Sequence, residues 1–382
     1  MTRPRKAKAM ITETTHHAGR NSNKVLAPGS TIGILGGGQL GRMLAVAATR
    51  LGLNTHIYAP DANCPAALVA KSVTVGAFDD VEAVLAFAQT CDAVTYEFEN
   101  VPAMSAKAAA TAAPLRPGAR ALDVSQDRLV EKSFLRAQLG LAVAGFEDIA
   151  SVHDLRRAVK RLKFPCVLKT RRFGYDGKGQ VILRSASDVE AAWETLSPAP
   201  HSVPCILEAF IPFEREVSIV AARGLDGQIA AYPLTENVHR NHILHTSTAP
   251  AQQDDGSAAR MAGQILEHLD YVGVMGVEFF QMADGTLIVN EIAPRVHNSG
   301  HWTQDAGCTD QFEQHMRAVA GWPLGDARPQ HGVVMINLIG EDVAQWKTLA
   351  AQPGTHLHLY GKSDIRPGRK MGHINQTQSG KI

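Results

Sequence analysis

Glu278 and Glu291 are the two residues whose type and spacing carry the clearest chemistry in this chain. Each lies in an apolar run rich in Val, Ile and Phe, and the two runs flank Ala283-Asp284-Gly285, which is a β-hairpin signal. A two-residue turn at Asp284 and Gly285 would place Glu278 directly opposite Glu291. The same register pairs further side chains on that face, Phe280 with Val289 and Met282 with Leu287.

Two facing carboxylates repel each other and destabilise a sheet, so we expect a proton or a cation between them. Oxygen ligands favour a hard divalent cation, and Mg²⁺ carrying nucleotide phosphates is its commonest enzyme setting. A hairpin whose glutamates both point to water is the alternative. The polar segment that follows Glu291 favours a functional site, because so polar a run makes a poor core. This segment holds Arg295, His297, Asn298, Ser299 and His301.

The segment 36–41 reads GGGQLG and lies between a strand predicted over 31–35 and a helix predicted over 42–51. This order of strand, GxGxxG and helix is typical of a dinucleotide site, where main-chain N–H groups approach a phosphate at the helix N-terminus. Asp61 is the candidate ribose-binding acid about 20 residues on, although it falls late. Any other phosphate ester would suit the same loop.

Glu97 and Glu99 follow the last strand of the predicted N-terminal sheet. Strands predicted over 54–58, 71–75 and 93–96, with a helix over 81–90, indicate a parallel, doubly wound sheet. Ligands of such sheets bind beyond the carboxyl ends of the strands. We therefore predict that these glutamates bind a polar or cationic group of a substrate, with a solvated strand end as the alternative.

Basic residues cluster in the middle of the chain. Arg128 and Lys132 share one face of a helix predicted to run from Ser125, its N-cap, to Gly140, and would meet one anion or form a solvated basic face. Lys169 ends a strand predicted over 164–169, and TRRFGYDGKGQ follows over 170–180. This loop predicts a mobile flap over phosphates, or else a basic hairpin loop. It matches neither a Walker A nor a kinase motif.

A strand predicted over 203–208 ends beside Phe210 and Ile211, which suits an adenine ring held by apolar contacts and main-chain hydrogen bonds. Glu208 and Glu216 flank this turn, and Glu216 is placed to accept ribose hydroxyls. His239 is either a packed side chain or a ligand. Near the end of the sequence, four cations predict an anion clamp that folds over the site, or an exposed basic loop: Lys362, Arg366, Arg369 and Lys370.

The composition limits the class of protein. A chain of 382 residues exceeds one ordinary core, so two or three domains are expected. A net charge of +1 gives no general attraction for nucleic acid or an anionic membrane, and no apolar run approaches the ~20 residues that span a bilayer. The five dispersed cysteines predict reduced thiols in a cytoplasmic enzyme. Residues 1–30 lack the apolar core of a secretory signal and predict a disordered tail.

The order of these motifs resembles the ATP-grasp superfamily of ATP-dependent ligases. GxGQLGRML, RRFGYDGKGQ, NEIAPRVHNSGHWT and RPGRKMGH are similar to motifs of the carboxyaminoimidazole ribonucleotide synthase family of purine biosynthesis, and the resemblance runs from Thr31 to His373. It implies an α/β fold of ATP-grasp architecture. A Rossmann-like parallel sheet would occupy 31–120, an ATP-grasp domain 121–325 with a small subdomain over about 125–210, and a β-rich unit 326–382.

The resemblance also implies the reaction: ATP, bicarbonate and aminoimidazole ribonucleotide give ADP, phosphate and the carboxyamino product through carboxyphosphate, in an enzyme expected to be a homodimer. Mg²⁺ would be bound by Glu278 and Glu291. ATP would be held by Arg128, Lys169, Gly174, Tyr175, Asp176, Gly177, Lys178, Gly179, Gln180, Glu208, Ala209, Phe210, Ile211, Glu216, His239, Asn290 and Glu291. The ribonucleotide would be surrounded by Tyr175, Asp176, Arg295, His297, Asn298, Ser299, Lys362, Arg369 and Lys370, with Glu97 or Glu99 nearby. The expected catalytic groups are Lys169, Tyr175, Asp176, Lys178, Arg295 and His297, with His297 or Asp176 assisting proton transfer.

One position departs from the wider superfamily. Many ATP-grasp enzymes carry Asn two residues after the second glutamate, and Ala293 stands there in this chain. This departure fits the named family and counts against kinship with biotin carboxylases or peptide ligases. Three other functions compete: another ATP-grasp ligase such as a formate-dependent glycinamide ribonucleotide transformylase, an NAD-dependent oxidoreductase built on GGGQLG, and an inactive nucleotide-binding module. The oxidoreductase would leave Lys169, the flap and the glutamate hairpin without a role.

Overall fold

A computed structural model of the chain describes residues 23–174, 177–198 and 203–378. The N-terminal part contains the strands β1 (Thr31–Leu35), β2 (Asn54–Ala59), β3 (Ser72–Val75) and β4 (Ala93–Tyr96) and the helices α1 (Gln39–Arg50), α2 (Val81–Gln89) and α3 (Ala103–Ala112). The strands form a parallel sheet in the order β3-β2-β1-β4. Parallel neighbours need crossover connections, which is why strands alternate with helices here, and the predicted Rossmann-like sheet is confirmed.

The tail predicted over 1–30 includes residues that are part of the fold. Its first 22 residues lie outside the described part of the chain, but Leu26 is buried. The Leu26 N–H donates to the Ala320 carbonyl at 2.8 Å, and the Leu26 carbonyl accepts from Trp322 Nε1 at 2.6 Å. An apolar side chain with both main-chain groups satisfied is part of the fold, so the prediction of disorder up to residue 30 is wrong for this stretch.

Two short helices, α4 (Ala119–Ser125) and α5 (Arg128–Ser133), lead out of the first sheet, and a π-helical turn over Phe134–Gln138 extends α5. Ser125 is the last residue of α4, so its predicted role as an N-cap is wrong. Asp127 caps α5 instead, since its carboxylate accepts from the Leu129 N–H at 3.0 Å. Gly140 follows the π-helical turn with a φ of +67°, in agreement with its predicted place beyond the helix end.

A small antiparallel sheet forms the next layer. Its strands are β5 (Phe146–Ile149), β6 (Cys166–Thr170), β7 (Gln180–Leu183) and β8 (Cys205–Ala209), in the order β5-β8-β6-β7. The helices α6 (Val152–Leu162) and α7 (Val189–Leu196) pack on it through a core that includes Leu155, Val159 and Leu168. The predicted flap is therefore the connection between the adjacent strands β6 and β7.

The largest sheet contains nine strands. They are β9 (Arg215–Arg223), β10 (Ile229–Ala231), β11 (Thr235–Arg240), β12 (Ile243–Ala249), β13 (Gly273–Gln281), β14 (Leu287–Ala293), β15 (Val333–Ile339), β16 (Thr355–Leu359) and β17 (Lys370–Thr377). The order is β14-β13-β9-β11-β12-β15-β17-β16, with β10 paired to β9. The helices are α8 (Ser257–His268), α9 (Gln311–Ala320) and α10 (Trp346–Ala350). The β-rich unit predicted after 326 therefore continues the same sheet through the β12–β15 pair.

The β13–β14 hairpin combines a turn and a bulge that the sequence did not reveal. Met282 donates to Thr286 around a three-residue loop, so Phe280 pairs with Ile288 and not with Val289, and Gln281 rather than Met282 pairs with Leu287. The register then shifts between Glu278 and Phe279, and Asn290 is the extra residue of the resulting β-bulge. The bulge restores the predicted pairing of Glu278 with Glu291.

Two of the hydrophobic cores involve the largest sheet. One is shared by the first and the largest sheets and includes Ile32, Leu44, Val220, Phe312 and Met316. The other lies between α8 and the strands β9, β13 and β14. Within the described ranges no helix is long and apolar enough to cross a membrane.

Candidate active site

A cavity of about 970 Å³ lies where the three sheets meet. It is lined from the first sheet by Gly38, Glu97 and Glu99, from the small sheet by Lys169, Gln180 and Glu208, and from the largest sheet by Glu278, Glu291 and His297. Nearly all the separate motifs of the sequence therefore face one space.

Glu278 and Glu291 face each other at one end of this cavity. Glu278 Oε1 lies 3.2 Å from His297 Nε2, and Glu291 Oε2 lies 3.0 Å from Arg128 Nη1. Burial would raise the pKa of Glu278, but the hydrogen bond from His297, together with nearby positive charge that includes Arg295, outweighs burial and lowers the pKa to about 2. Both carboxylates point inward, so the alternative of a hairpin with water-facing glutamates is wrong.

The donor set at this hairpin fits a divalent cation such as Mg²⁺. The side-chain oxygen of Asn290 is buried and has no hydrogen-bond partner among the residues that the structure describes, which leaves a third oxygen beside the two carboxylates. No cluster of three His, Cys, Asp or Glu side chains with metal-ligand geometry occurs in the part of the chain that the structure describes. Phosphate and water oxygens would therefore complete the coordination, as Mg²⁺ usually requires.

A buried network of charges connects the hairpin to Lys169. Lys132 Nζ donates to the Asn290 carbonyl at 2.7 Å and lies 3.7 Å from Glu208 Oε2, which accepts from Lys169 Nζ at 2.8 Å. Lys132 is fully buried, so its alternative as part of a solvated basic face is wrong. Burial alone would raise the pKa of Glu208, but Lys132 and Lys169 lower it to about 2.

The described residues of the flap line part of the cavity. Gly174, Gly177, Lys178 and Gln180 line it, whereas Tyr175 and Asp176 lie outside the described residues. The flap is attached at its base to α5, because Arg128 Nη2 donates to the Gly174 carbonyl at 3.3 Å and Arg171 Nη2 lies 2.8 Å from Asp127 Oδ2. Thr170 N–H also donates to the Gly179 carbonyl at 2.8 Å.

The turn after β8 forms another part of the cavity wall. Ala209, Phe210 and Ile211 all line the cavity, in the place predicted for an adenine ring. His239 Nδ1 lies 3.0 Å from Glu216 Oε2. Burial lowers the pKa of His239, but the adjacent Glu216 carboxylate outweighs burial and raises the pKa overall.

The glycine-rich loop binds a carboxylate of the protein itself. The N–H groups of Gly38 and Gly41 both donate to the Glu97 side chain, and an added Cβ at Gly36 would lie 2.2 Å from Glu97 Cγ. Burial raises the pKa of Glu97, while these two N–H groups oppose the rise. Asp61 lies in an exposed turn, where it accepts from the Asn63 N–H at 2.8 Å. The dinucleotide interpretation of this loop is therefore wrong, because Glu97 takes the N–H groups that would bind phosphate.

Charged and polar groups of the segment after β14 complete the cavity. Arg295 forms a two-pronged ion pair with Glu99, including a 3.1 Å contact from Nη2 to Oε1. Burial would raise the pKa of Glu99, but Arg295 lowers it to about 2. The Asn298 side chain lines the cavity, and its buried amide nitrogen and oxygen find no partner among the described residues. A ligand with both donor and acceptor groups would satisfy it.

The predicted anion clamp lies partly behind the residues that line the cavity. Lys370 lines the cavity, and Lys362 Nζ donates to the Lys370 carbonyl at 2.7 Å. Burial, together with the charges of Arg369 and Lys370, lowers the pKa of Lys362 to about 8. Arg369 Nη1 donates to the Asp364 carbonyl at 2.8 Å. Of the predicted ribonucleotide contacts in the described ranges, Lys362, Arg369 and Ser299 do not line the cavity.

Three comparisons with known proteins agree on one family. Family models match over 134–312 (ATP-grasp domain), 29–126 (ribonucleotide synthetase preATP-grasp domain) and 333–381 (phosphoribosylaminoimidazole carboxylase C-terminal domain). The N5-carboxyaminoimidazole ribonucleotide synthase of Brucella melitensis is 50% identical, with 92% of this chain and 97% of the relative covered. That of Pseudomonas aeruginosa is 45% identical, with 90% and 93% covered. This chain belongs to the N5-carboxyaminoimidazole ribonucleotide synthase family.

Solved structures of the N5-carboxyaminoimidazole ribonucleotide synthase family share the fold. A synthetase in complex with ADP matches with a TM-score of 0.89 and 42% identity, covering 94% of this chain and 95% of that one. The Aspergillus clavatus synthase in complex with ADP and 5-aminoimidazole ribonucleotide matches with a TM-score of 0.85 and 30% identity, covering 92% and 94%. The predicted ATP-grasp architecture and family are confirmed.

Some members of the site escaped the sequence analysis. Glu131 lines the cavity, and its Oε1 accepts from the Ile292 N–H at 2.6 Å. Asp127 holds the flap base through Arg171. Both lie in the predicted helix that carries Arg128 and Lys132. The sequence DRLVEK contains the signal for them, because Asp127 and Glu131 are four residues apart and therefore share a face of a helix.

Proposed function

We propose that this chain uses ATP and bicarbonate to carboxylate 5-aminoimidazole ribonucleotide to its N5-carboxyamino product in purine biosynthesis. The observation that supports this proposal most strongly is that one cavity is lined both by the facing carboxylates with Lys169 and by Glu99, Arg295 and His297. Family membership and the ligands named for solved relatives, ADP, ATP and 5-aminoimidazole ribonucleotide, support the assignment.

The nucleotide side of the cavity must bind and shield a polyphosphate. Lys169 and Lys178 line the same cavity as the glutamates and supply cationic groups to it. The proposed chemistry requires the flap to exclude water from this space. Mg²⁺ held by Glu278, Glu291 and the Asn290 oxygen would neutralise charge on the phosphates. Bicarbonate is a poor nucleophile, so charge neutralisation at the γ-phosphate is what its attack requires. Carboxyphosphate forms, and water must be excluded until the amine arrives.

The ribonucleotide side must orient an amine towards the activated carboxyl group. The Arg295 guanidinium is held in place by Glu99, and Asn298 offers an unpaired amide to the ligand. His297 lies between this side and the glutamate pair, 3.2 Å from Glu278. No covalent enzyme intermediate is required, because the amine attacks the carboxyl carbon directly and phosphate leaves.

ADP release from the purified protein tests the proposal. Incubation with ATP, Mg²⁺, bicarbonate and aminoimidazole ribonucleotide should release ADP at a rate that depends on both bicarbonate and the ribonucleotide. A matched reaction with formate and glycinamide ribonucleotide should release none above background, which separates the proposed enzyme from a transformylase. No ADP above background with the first set of substrates would overturn the proposal.

We also propose a cytoplasmic homodimer. All five cysteines are unpaired, which suits a reducing compartment, and four of them are buried. The family resemblance supports the dimer. Light scattering on the purified chain should give twice the monomer mass of 41.0 kDa, and a monomer at assay concentration would contradict the dimer.

A further inference from the structure

A buried row of hydrogen-bonded polar side chains runs through the largest sheet and ends at His297. Ser247 Oγ lies 2.8 Å from Asn237 Oδ1, Asn237 Nδ2 lies 2.8 Å from Ser218 Oγ, and Ser218 Oγ lies 2.7 Å from Ser299 Oγ. Ser299 Oγ is 2.8 Å from His297 Nδ1. Ser218, Ser247 and Ser299 are fully buried and Asn237 is 6% exposed, so bulk water does not supply these contacts.

The position of this row of polar side chains in the sheet makes each of its hydrogen bonds a requirement for stability. Ser218 lies within β9 between the buried residues Val217 and Ile219, and Asn237 and Ser247 pair across β11 and β12. A buried hydroxyl or amide is unfavourable unless its hydrogen bonds are made, and apolar side chains would pack there without that requirement. Polar residues on three adjacent strands therefore need an explanation beyond folding.

The direction of the hydrogen bonds is set at both ends of the His297 ring. The main-chain N–H of Ser299, which is only a donor, points to Nδ1 at 3.4 Å, so Nδ1 is an acceptor. The ionised Glu278 carboxylate, which is only an acceptor, lies 3.2 Å from Nε2, so Nε2 carries the proton. The Ser299 hydroxyl must then donate to Nδ1, and it accepts from Ser218, which in turn accepts from the Asn237 amide.

We propose that Ser218, Asn237 and Ser247 are positioning residues that keep the Ser299 hydroxyl as a donor and so hold His297 as its Nε2–H tautomer. In this tautomer His297 presents an N–H to the cavity. It donates to an anion there, either the Glu278 carboxylate or the carboxyl group that is transferred, and it does not accept the amine proton. The effect on turnover rests on the proposed function, whereas the tautomer itself does not.

Nitrogen NMR of the histidine rings tests the proposal directly. In protein labelled with ¹⁵N-histidine, the His297 signals, assigned by their loss in His297→Gln, should show an unprotonated Nδ1 and a protonated Nε2. Ser218→Ala should shift this pattern towards a mixture of tautomers. A wild-type ring protonated at Nδ1, or an unchanged pattern in Ser218→Ala, would overturn the proposal; the wild-type spectrum decides even if the variant fails to fold.

Steady-state kinetics distinguish a role of Ser218 in positioning His297 from a role in the stability of the fold alone. Ser218→Ala should lower kcat about tenfold while the KM for ATP changes less than twofold, and Ser218→Cys, which keeps a weak donor, should recover part of kcat. Ser105→Ala is the matched control, because Ser105 is also a buried serine, but its hydroxyl has no partner within the described ranges and lies outside the cavity. It should change neither the ring signals nor kcat. A fall in kcat that is equal in both variants would contradict the assignment.

Discussion

The Lys132 ammonium donates to the main-chain carbonyl of Asn290 at 2.7 Å, and so ties helix α5 to the bulge of the glutamate hairpin. The same ammonium lies 3.7 Å from Glu208, the partner of Lys169. One buried cation therefore contacts both the glutamate hairpin and β8, the strand that ends at the turn formed by Phe210 and Ile211.

Lys132→Met should destabilise the protein by about 3 kcal/mol, because it leaves a buried carbonyl and a buried carboxylate without one of their partners. Urea unfolding, with and without ATP and Mg²⁺, measures the loss. Lys107→Met is the matched control, since Lys107 pairs with Asp123 at 3.0 Å on the surface and should contribute less than about 1 kcal/mol. Equal losses in the two variants would show that the buried network is not stabilising.

Glu291→Gln should abolish ATP cleavage that depends on Mg²⁺ and leave the fold intact, because the amide removes a charged oxygen ligand. ADP release over a Mg²⁺ titration and far-UV circular dichroism measure the two effects. Glu190→Gln, which removes an exposed partner of Arg156, should behave like the wild type. Wild-type turnover in Glu291→Gln would contradict the metal assignment.

Lys362→Ala should raise the KM for the ribonucleotide more than the KM for ATP, because the Lys362 ammonium holds the main chain of Lys370, the member of the predicted clamp that lines the cavity. Since the pKa of Lys362 is about 8, the ammonium is charged below that pH and loses its proton above it. The KM for the ribonucleotide should therefore rise as the pH increases through about 8 in the wild type, and this rise should be absent in the variant. Lys347→Ala, on the exposed face of α10, serves as the control. A larger change in the KM for ATP would rule out the clamp.

His315 predicts how stability depends on pH. Burial lowers its pKa from 6.5 to about 3. Its Nδ1 accepts from the Val274 N–H at 3.1 Å, and Nε2 lies 2.8 Å from Thr95 Oγ1. The unfolded chain binds the proton first, so the stabilisation is complete above pH 6.5 and is lost as the pH falls from 6.5 towards 3, by about 1.4 kcal/mol per unit.

His315→Gln can keep both hydrogen bonds without titrating, and should flatten the loss of stability between pH 6.5 and 5. Glu99, Glu208 and Glu278, whose pKa values are about 2, contribute instead as the pH falls below 4.5. Urea unfolding at several pH values measures the slopes. The exposed His153→Gln is the control, and an unchanged slope in His315→Gln would refute the assignment.

The glutamate hairpin shows how far the sequence could predict this site. The pairing of Glu278 with Glu291 was predicted correctly, although by a two-residue turn that does not exist. The actual loop is one residue longer, and the bulge at Asn290 restores the register. Local turn chemistry does not specify that bulge, because Lys132, which contacts it, comes from a segment 158 residues away.

Other differences have the same origin. The strands β11, β12 and β17 were not predicted, because their polar sequences form strands only when paired with distant partners. The glycine-rich loop fits the phosphate pattern locally, but Glu97, 59 residues beyond Gly38, accepts its N–H groups. Local motifs predicted which residues meet in the cavity. They did not predict which protein groups already satisfy one another there.

The nine-stranded sheet makes the protein sensitive to truncation at its C-terminal end. β15 bonds to β12 from Thr246–Ile336 to Ala249–Val333, and Val333, Met335 and Tyr360 fill the core shared with the first sheet. A chain ended by a stop codon near residue 330 would leave β12 as a bare edge strand above an open core. Such an edge recruits strands from other molecules, so truncation should yield insoluble aggregates and not a shorter ligase.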